Sequence, residues 1–320
     1  MTERHRNILI FSLLILAFGI FPLIVTQYWI RLFTGVFMYV LLAQATNILM
    51  GFTGLVPFGN VVFFGMGAYL TGIFMINWHI PFFAALILGA VVCFTFAAVV
   101  GYPILKLKGH YFAIATLGAS EAVKQIATNV KITGGGMGFS LPLCPLGAKG
   151  YNYFFYLLML LAAILVTLTT YWISKNKIGY ALKAIFSNEE GARSIGINTS
   201  YYKMVAWAIS AFFTGIAGGI YAYWYGYIDP PTVFDLGISI RFIIMTLLGG
   251  AGTVLGPILG SFFVELLSET IWSQFLFIHL GILGSIIILV VIFMPKGLLW
   301  FYRQRFSINA LLADLRKRKI

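Results

Sequence analysis

Glu265 and Glu269 stand four residues apart, a spacing that puts two carboxylates on one helix face. Such a pair could carry general acid–base work or relay protons. The preferred reading is quieter: Glu269 lies at an outer interface and Glu265 hydrogen-bonds a neighbouring helix. Arg241 is a lone cation inside an apolar run. It could line a pathway and touch a carboxylate, or snorkel to the outer surface from the start of its run, and snorkelling is preferred. Glu121 and Lys124, at i and i+3, are expected to pair. His79, His110 and His279 fall near the ends of apolar runs and form no ligand cluster. Cys93 and Cys144 have no metal or redox spacing. The chain contains no Ser/His or Asp/Asp constellation and no G-x-x-x-x-G-K-[ST] phosphate loop. These residues predict no enzyme activity, no metal and no cofactor.

The elements that must position these groups are membrane helices. The chain has 320 residues, of which 61% are hydrophobic and 9% charged. So few charges cannot cover a water-soluble domain, and the bilayer must be the main solvent. A span needs ~20 apolar residues. Windows of that kind predict an all-α, polytopic integral membrane protein with about ten spans: 8–28, 32–50, 55–76, 82–105, 111–127, 151–173, 204–227, 236–249, 253–272 and 276–295. The first run lacks a small-residue cleavage site and reads as a retained helix rather than a signal peptide. A single membrane domain over 1–320 is expected, with a polar loop at 175–203 and a basic tail at 303–320.

The formal net charge of +12 is explained by topology. With a cytoplasmic N-terminus and ten spans, all but Arg31, Lys124, Lys131, Lys149 and Arg241 of the 21 Lys and Arg face inward. Both termini and the 175–203 loop come out cytoplasmic. The tail reads as attracted to anionic lipid, and no nucleic-acid partner is expected.

Two Gly/Pro clusters interrupt this pattern. Gly54, Pro57 and Gly59 break one span; Gly249, Gly250, Gly252, Gly256 and Pro257 break another. Broken helices at membrane depth survive only when buried in protein or facing a wet cavity, and in transporters they point to the pathway. Gln44, Asn47 and Asn60 flank the first cluster. They are equally suited to lining a pathway or to bonding between helices.

The polar loop contains its own pattern. Ile178, Ala181, Leu182, Ile185 and Phe186 form one apolar stripe of a short amphipathic helix. Ser187-Asn188-Glu189-Glu190 has the form of a capping box, which predicts a second helix opened by Ser187. Gly196 is placed to end it in a left-handed conformation. An interfacial helix on lipid headgroups and a docking element for a soluble protein both fit these residues.

The segment GYALKAIFSNEEGARSIGINTSYYK (179–203) resembles the coupling loop of ABC importer permeases, in particular the LivM type of the branched-chain amino acid permease family. GLVPFGNVVFFGMGAYL (54–70), GHYFAIATLGASE (109–121), TGGGMG (133–138) and LLGGAGTVLGPILGS (247–261) fit the same family in order. The resemblance implies a second homologous permease subunit, two cytoplasmic ABC ATPase subunits and an extracytoplasmic solute-binding protein. It assigns Gly179, Ala181, Leu182, Ala184, Ile185, Asn188, Glu189, Ala192 and Gly196 to the coupling loop. The implied solute is a branched-chain amino acid, with urea or a short amide as the alternative. The rival is a stand-alone secondary transporter, for which the spans offer few buried acids. Where family members often carry Arg-Glu, this chain has Phe186 and Ser187. Arg241 stands where many have an acidic or small residue.

Overall fold

The structure, a computed structural model, describes residues 18–274 and residue 284. Long apolar stretches become long helices because a helix satisfies its backbone groups within one segment, without water. Helix α1 spans Gln27–Thr53, α2 Val61–Asn77, α3 Phe82–Ile104, α4 His110–Asn129 and α5 Ala148–Lys175. Two short helices follow, α6 over Lys177–Ser187 and α7 over Glu189–Ser194. Then come α8 (Thr199–Tyr225), the one-turn α9 (Pro230–Val233), α10 (Leu236–Gly249) and α11 (Gly256–Gln274). Strands β1 (Phe139–Ser140) and β2 (Tyr227–Ile228) pair antiparallel, Phe139 opposite Ile228.

Among the described residues, six segments are long and apolar enough to cross a membrane. The expected spans at 111–127 and 253–272 do form helices, α4 and α11, but the six spans do not include them. Glu121 and Lys124 on α4, and Glu265 and Glu269 on α11, make these helices more polar than their neighbours. Residues 8–17 of the run at 8–28, the run at 276–295 apart from residue 284, His279 and the tail at 303–320 lie outside the described residues.

The centre of the fold is α8, packed against α2 and α3, while α1 lies between α5 and α8 and also meets α10 and α11. Small residues permit these close approaches where no hydrophobic force drives helix association. A Cβ on Gly218 of α8 would collide with the Phe64 carbonyl of α2. In α4, by contrast, a Cβ on Gly118 would meet nothing within 4 Å. Gly218→Leu is therefore expected to lower the stability of the detergent-solubilised protein by about 1–3 kcal/mol. Gly118→Ala should leave it unchanged or slightly raised, because alanine is the better helix former. Thermal unfolding of both variants checks the contrast.

Candidate functional site

The polar loop folds as two helices returned onto the membrane bundle. Chain reversal between α5 and α6 takes place at Asn176. It brings Gly179 under the Ile173 carbonyl, where a Cβ would not fit. Burial follows the apolar stripe for Ala181, Leu182 and Ile185, with Ile178 and Ala184 half-buried. Phe186 leaves the stripe, being 61% exposed. Its ring edge instead covers Gly54, which ends α1 with φ +75°.

The start of α7 differs from expectation by one residue. Ser187 belongs to the last turn of α6, where its hydroxyl donates to the Lys183 carbonyl at 3.1 Å. The cap is Asn188, whose Oδ1 accepts the Gly191 N–H at 2.9 Å. Asparagine caps as well as serine, so the second helix forms although the expected residue does not open it. At the other end Gly196 has φ +87°, with Ile197 N–H donating to the Ala192 carbonyl and Gly196 N–H to that of Arg193. This is the Schellman closure expected of a glycine at that place.

Glu189 is held inside the protein rather than offered to solvent. Its Oε2 lies 2.6 Å from Nζ of Lys203, in the first turns of α8, and the Lys203 side chain is only 2% exposed. Its Oε1 lies 3.5 Å from Arg193. Burial alone would raise the Glu189 pKa; the Lys203 hydrogen bond and charge, helped by Arg193, outweigh it and lower the pKa below the usual carboxylate value. Glu190 meets Lys108 at 3.1 Å in an exposed pair that contributes little. Lys106, Lys108, Glu189 and Arg193 thus border one cleft of about 480 Å³ between the turn after α3 and the loop. The sequence reading missed Lys203 as the partner of Glu189, and missed the turn at 105–109 as the loop's neighbour. Fourteen residues separate the first pair, and nothing local marks the contact.

Both Gly/Pro clusters gather at the same end of the bundle as the loop. After Gly54 the chain passes Leu55, Val56 and Pro57 into a 3-10 turn at Phe58–Asn60, then enters α2. The second break runs from Gly250 (φ +117°) through Gly252 (φ +78°) to α11 at Gly256, with Pro257 in its first turn. Gly249 and Gly256 sit so close that neither tolerates a Cβ, and Gly252 abuts the Gly51 carbonyl of α1.

Asn47 joins the second break to α1. Its Nδ2 donates to the Thr253 carbonyl and its Oδ1 accepts the Gly252 N–H, both at 2.8 Å. Gln44 Nε2 donates to the Val254 carbonyl at 2.5 Å. Asn60 accepts from Trp207 Nε1 at 3.0 Å and donates to Ser210 at 3.2 Å. All three are fully buried. All three bond to other segments of the bundle.

Arg241 reaches across to α1 and α11. Its Nη1 donates to the Tyr39 hydroxyl at 3.2 Å and stands 3.9 Å from Glu265 Oε2, with the guanidinium 5.4 Å from the centre of the Tyr39 ring. Glu269 accepts from Tyr28 at 2.6 Å, so the two glutamates have different partners. Glu121 and Lys124 stand 4.0 Å apart as expected. Cys93 is buried and Cys144 half-buried, both free. Among the described residues no three His, Cys, Asp or Glu side chains come together in a way that could hold a metal.

The loop is anchored by an ion pair and a buried stripe, and its Phe186 covers the glycine that ends α1. Residues 28–294 match the family described as branched-chain amino acid transport system / permease component. The LivM permease protein of the high-affinity branched-chain amino acid transport system of Salmonella typhimurium is 27% identical over 95% of this chain and 77% of its own length. LivM of Escherichia coli is likewise 27% identical, with the same coverage. The autoinducer 2 import system permease protein LsrC of Salmonella paratyphi B is 29% identical over 68% of this chain and 66% of its own length. No solved structure matches the chain. With its family matched over most of its length, the chain belongs to the branched-chain amino acid transport system permease components.

Proposed function

We infer that this chain is a membrane-spanning permease subunit of an ABC importer that moves branched-chain amino acids inward. It pairs with a second homologous permease, identical or paralogous. Two cytoplasmic ATPase subunits bind and hydrolyse the ATP, and an extracytoplasmic binding protein delivers the solute. Both termini and the loop at 175–203 are cytoplasmic, which puts the basic residues on the side the positive-inside rule requires. The runs at 8–28 and 276–295, together with α4 and α11, raise the six apolar spans to about ten transmembrane helices.

One observation carries this reading: within a chain of this family, the two-helix loop divides its side chains between two jobs. Ala181, Leu182, Ile185 and Ala192 are buried against the chain's own helices. Tyr180, Phe186 and Ile195 are exposed by 62%, 61% and 76%. Exposed apolar side chains on a rigid, otherwise polar element mark a protein docking surface. The buried set then transmits motion to α1, α5 and α8, and the exposed set meets the ATPase. The Arg-Glu pair often present in the family is replaced here by Phe186 and Ser187, so docking relies more on apolar contact.

Ile195→Glu and Tyr180→Glu touch nothing in the core. Each is expected to leave insertion and stability intact while lowering ATP-driven leucine uptake about tenfold or more, as expected for a lost interface anchor. Co-purification with the ATPase checks the cause. A stand-alone transporter would keep full uptake in both variants.

A further inference from the structure

The contact between Arg241 and Glu265 leaves bonding capacity unused on both sides. A guanidinium carries five N–H donors. Here one nitrogen serves the Tyr39 hydroxyl, and its 3.9 Å separation from Glu265 is too long for a hydrogen bond. Glu265 Oε2 is buried and accepts no hydrogen bond. On α1, Gly35 faces the other carboxylate oxygen, and even a Cβ added there would stay 3.9 Å away.

Depth makes this costly unless it is used. Tyr28 and Trp29, in the first turn of α1, are exposed aromatic side chains of the kind that sit at a membrane interface, and Tyr39 lies ten residues further along from Trp29. Ten residues rise about 15 Å, half of a hydrocarbon core about 30 Å thick. The Arg241 side chain is 33% exposed and that of Glu265 17%. A partly open ion pair within the span is costly against lipid, which favours an open flank that faces protein or water.

We propose that Arg241, Tyr39 and Glu265 form a mid-membrane cradle for the zwitterionic head of an amino acid, on the face of α1, α10 and α11 that lines the translocation path. This rests on the amino-acid importer reading above. The solute carboxylate takes the spare guanidinium donors, and its ammonium pairs with the Glu265 carboxylate, whose side chain keeps 17% exposure. One tetrahedral carbon joins the two solute groups, which suits two protein charges that approach without closing on each other. The apolar side chain stays outside the cradle, which then favours the zwitterion and not one aliphatic shape.

The test uses the whole assembly in proteoliposomes with radiolabelled leucine, reading uptake per ATP hydrolysed. Arg241→Gln and Glu265→Gln should each cut that ratio about tenfold or more, the scale of losing a charged hydrogen-bond partner, while assembly and ATP hydrolysis persist. Arg241→Lys, which keeps charge and loses the fork, should fall between. An unchanged ratio in either glutamine variant overturns the cradle. A second arm uses the wild-type permease pair, free of binding protein. Leucine should raise its thermal unfolding temperature, whereas isocaproate and isoamylamine, which each carry one half of the head group, should not. A shift of equal size with one of the halves, or none with leucine, also overturns it. Wild-type assembly that moves none of leucine, isoleucine and valine refutes the importer reading, and the cradle falls with it. Normal leucine uptake beside either negative result removes the cradle alone.

Discussion

Glu189→Lys is expected to abolish uptake while the protein remains inserted. The change replaces the carboxylate 2.6 Å from Lys203 with a second ammonium against a side chain that is 2% exposed. Removing one partner of a buried pair costs about 3–5 kcal/mol. The Glu189 side chain is 22% exposed, so the cost here is nearer 2–3 kcal/mol, discounted for solvent screening. That loss falls on the anchoring of the loop and not on the bundle. Hydrogen exchange of the α7 amides should accelerate on the order of a hundredfold, with the α1 and α8 cores unaffected. Glu189→Gln should be milder, and Glu189→Gln combined with Lys203→Met should recover protection, because no buried charge is left alone.

The same pair has a defined acid dependence. The Glu189 pKa is lowered from its ordinary 4.5 in the folded loop. Its contribution is therefore complete above that ordinary value and is lost as pH falls through the lowered folded value. Loop protection should stay flat from neutral pH down to the ordinary carboxylate range and decline only below it. The Glu189→Gln variant should lack that decline.

Asn47→Leu is expected to be the most damaging single change within the bundle. Leucine fills much the same space but can neither accept the Gly252 N–H nor donate to the Thr253 carbonyl. Two backbone groups of the second break would lose their partners, at about 1–3 kcal/mol each when buried. Secondary structure outside the break should persist, because α10 and α11 are held separately by close packing at Gly249 and Gly260. The thermal unfolding temperature should fall and uptake should be lost. Asn47→Asp keeps the acceptor for Gly252 but puts an ionisable group at a fully buried site, so it too should lower stability. Equal stability in Asn47→Leu and wild type would show that water replaces the amide, and that the break faces a wet space.

What was legible in the sequence was local. Membrane class follows from composition, and the two loop helices follow from a stripe within eleven residues and a glycine at the end. Even there, capping shifted from Ser187 to Asn188, because a serine in a final helical turn can satisfy itself against its own helix. Asn47, Gln44 and Arg241 were visible as polar residues in apolar runs, but their roles depend on partners about two hundred residues away. Side chains that are chemically able to line a path are also able to pin a break, and the bonds that Asn47 and Gln44 make to the break come from the packing of α1 against α10 and α11. Lys203 was hidden for another reason. It looks like the solvated end of a loop, whereas the start of α8 carries it inward to Glu189. Exposure was the least legible property: Tyr180 and Ile195 gave no signal in the sequence, and the residues assigned by resemblance are largely the buried ones.

The most direct test is cross-linking from the loop in the intact, transporting assembly. An Ile195→Cys variant carries a new thiol on a side chain that is 76% exposed. The native Cys93 is buried, and Cys144 lies beyond α4, away from the loop. A short bifunctional thiol-reactive photoprobe at 195 should join this chain to the ATPase subunit, with a yield that changes between ATP-bound and nucleotide-free states. An assembly that transports leucine at full rate yet gives no adduct with the ATPase, or whose residue 195 reacts with an impermeant thiol reagent from the extracytoplasmic side, would contradict the loop's assignment as the receiver of force.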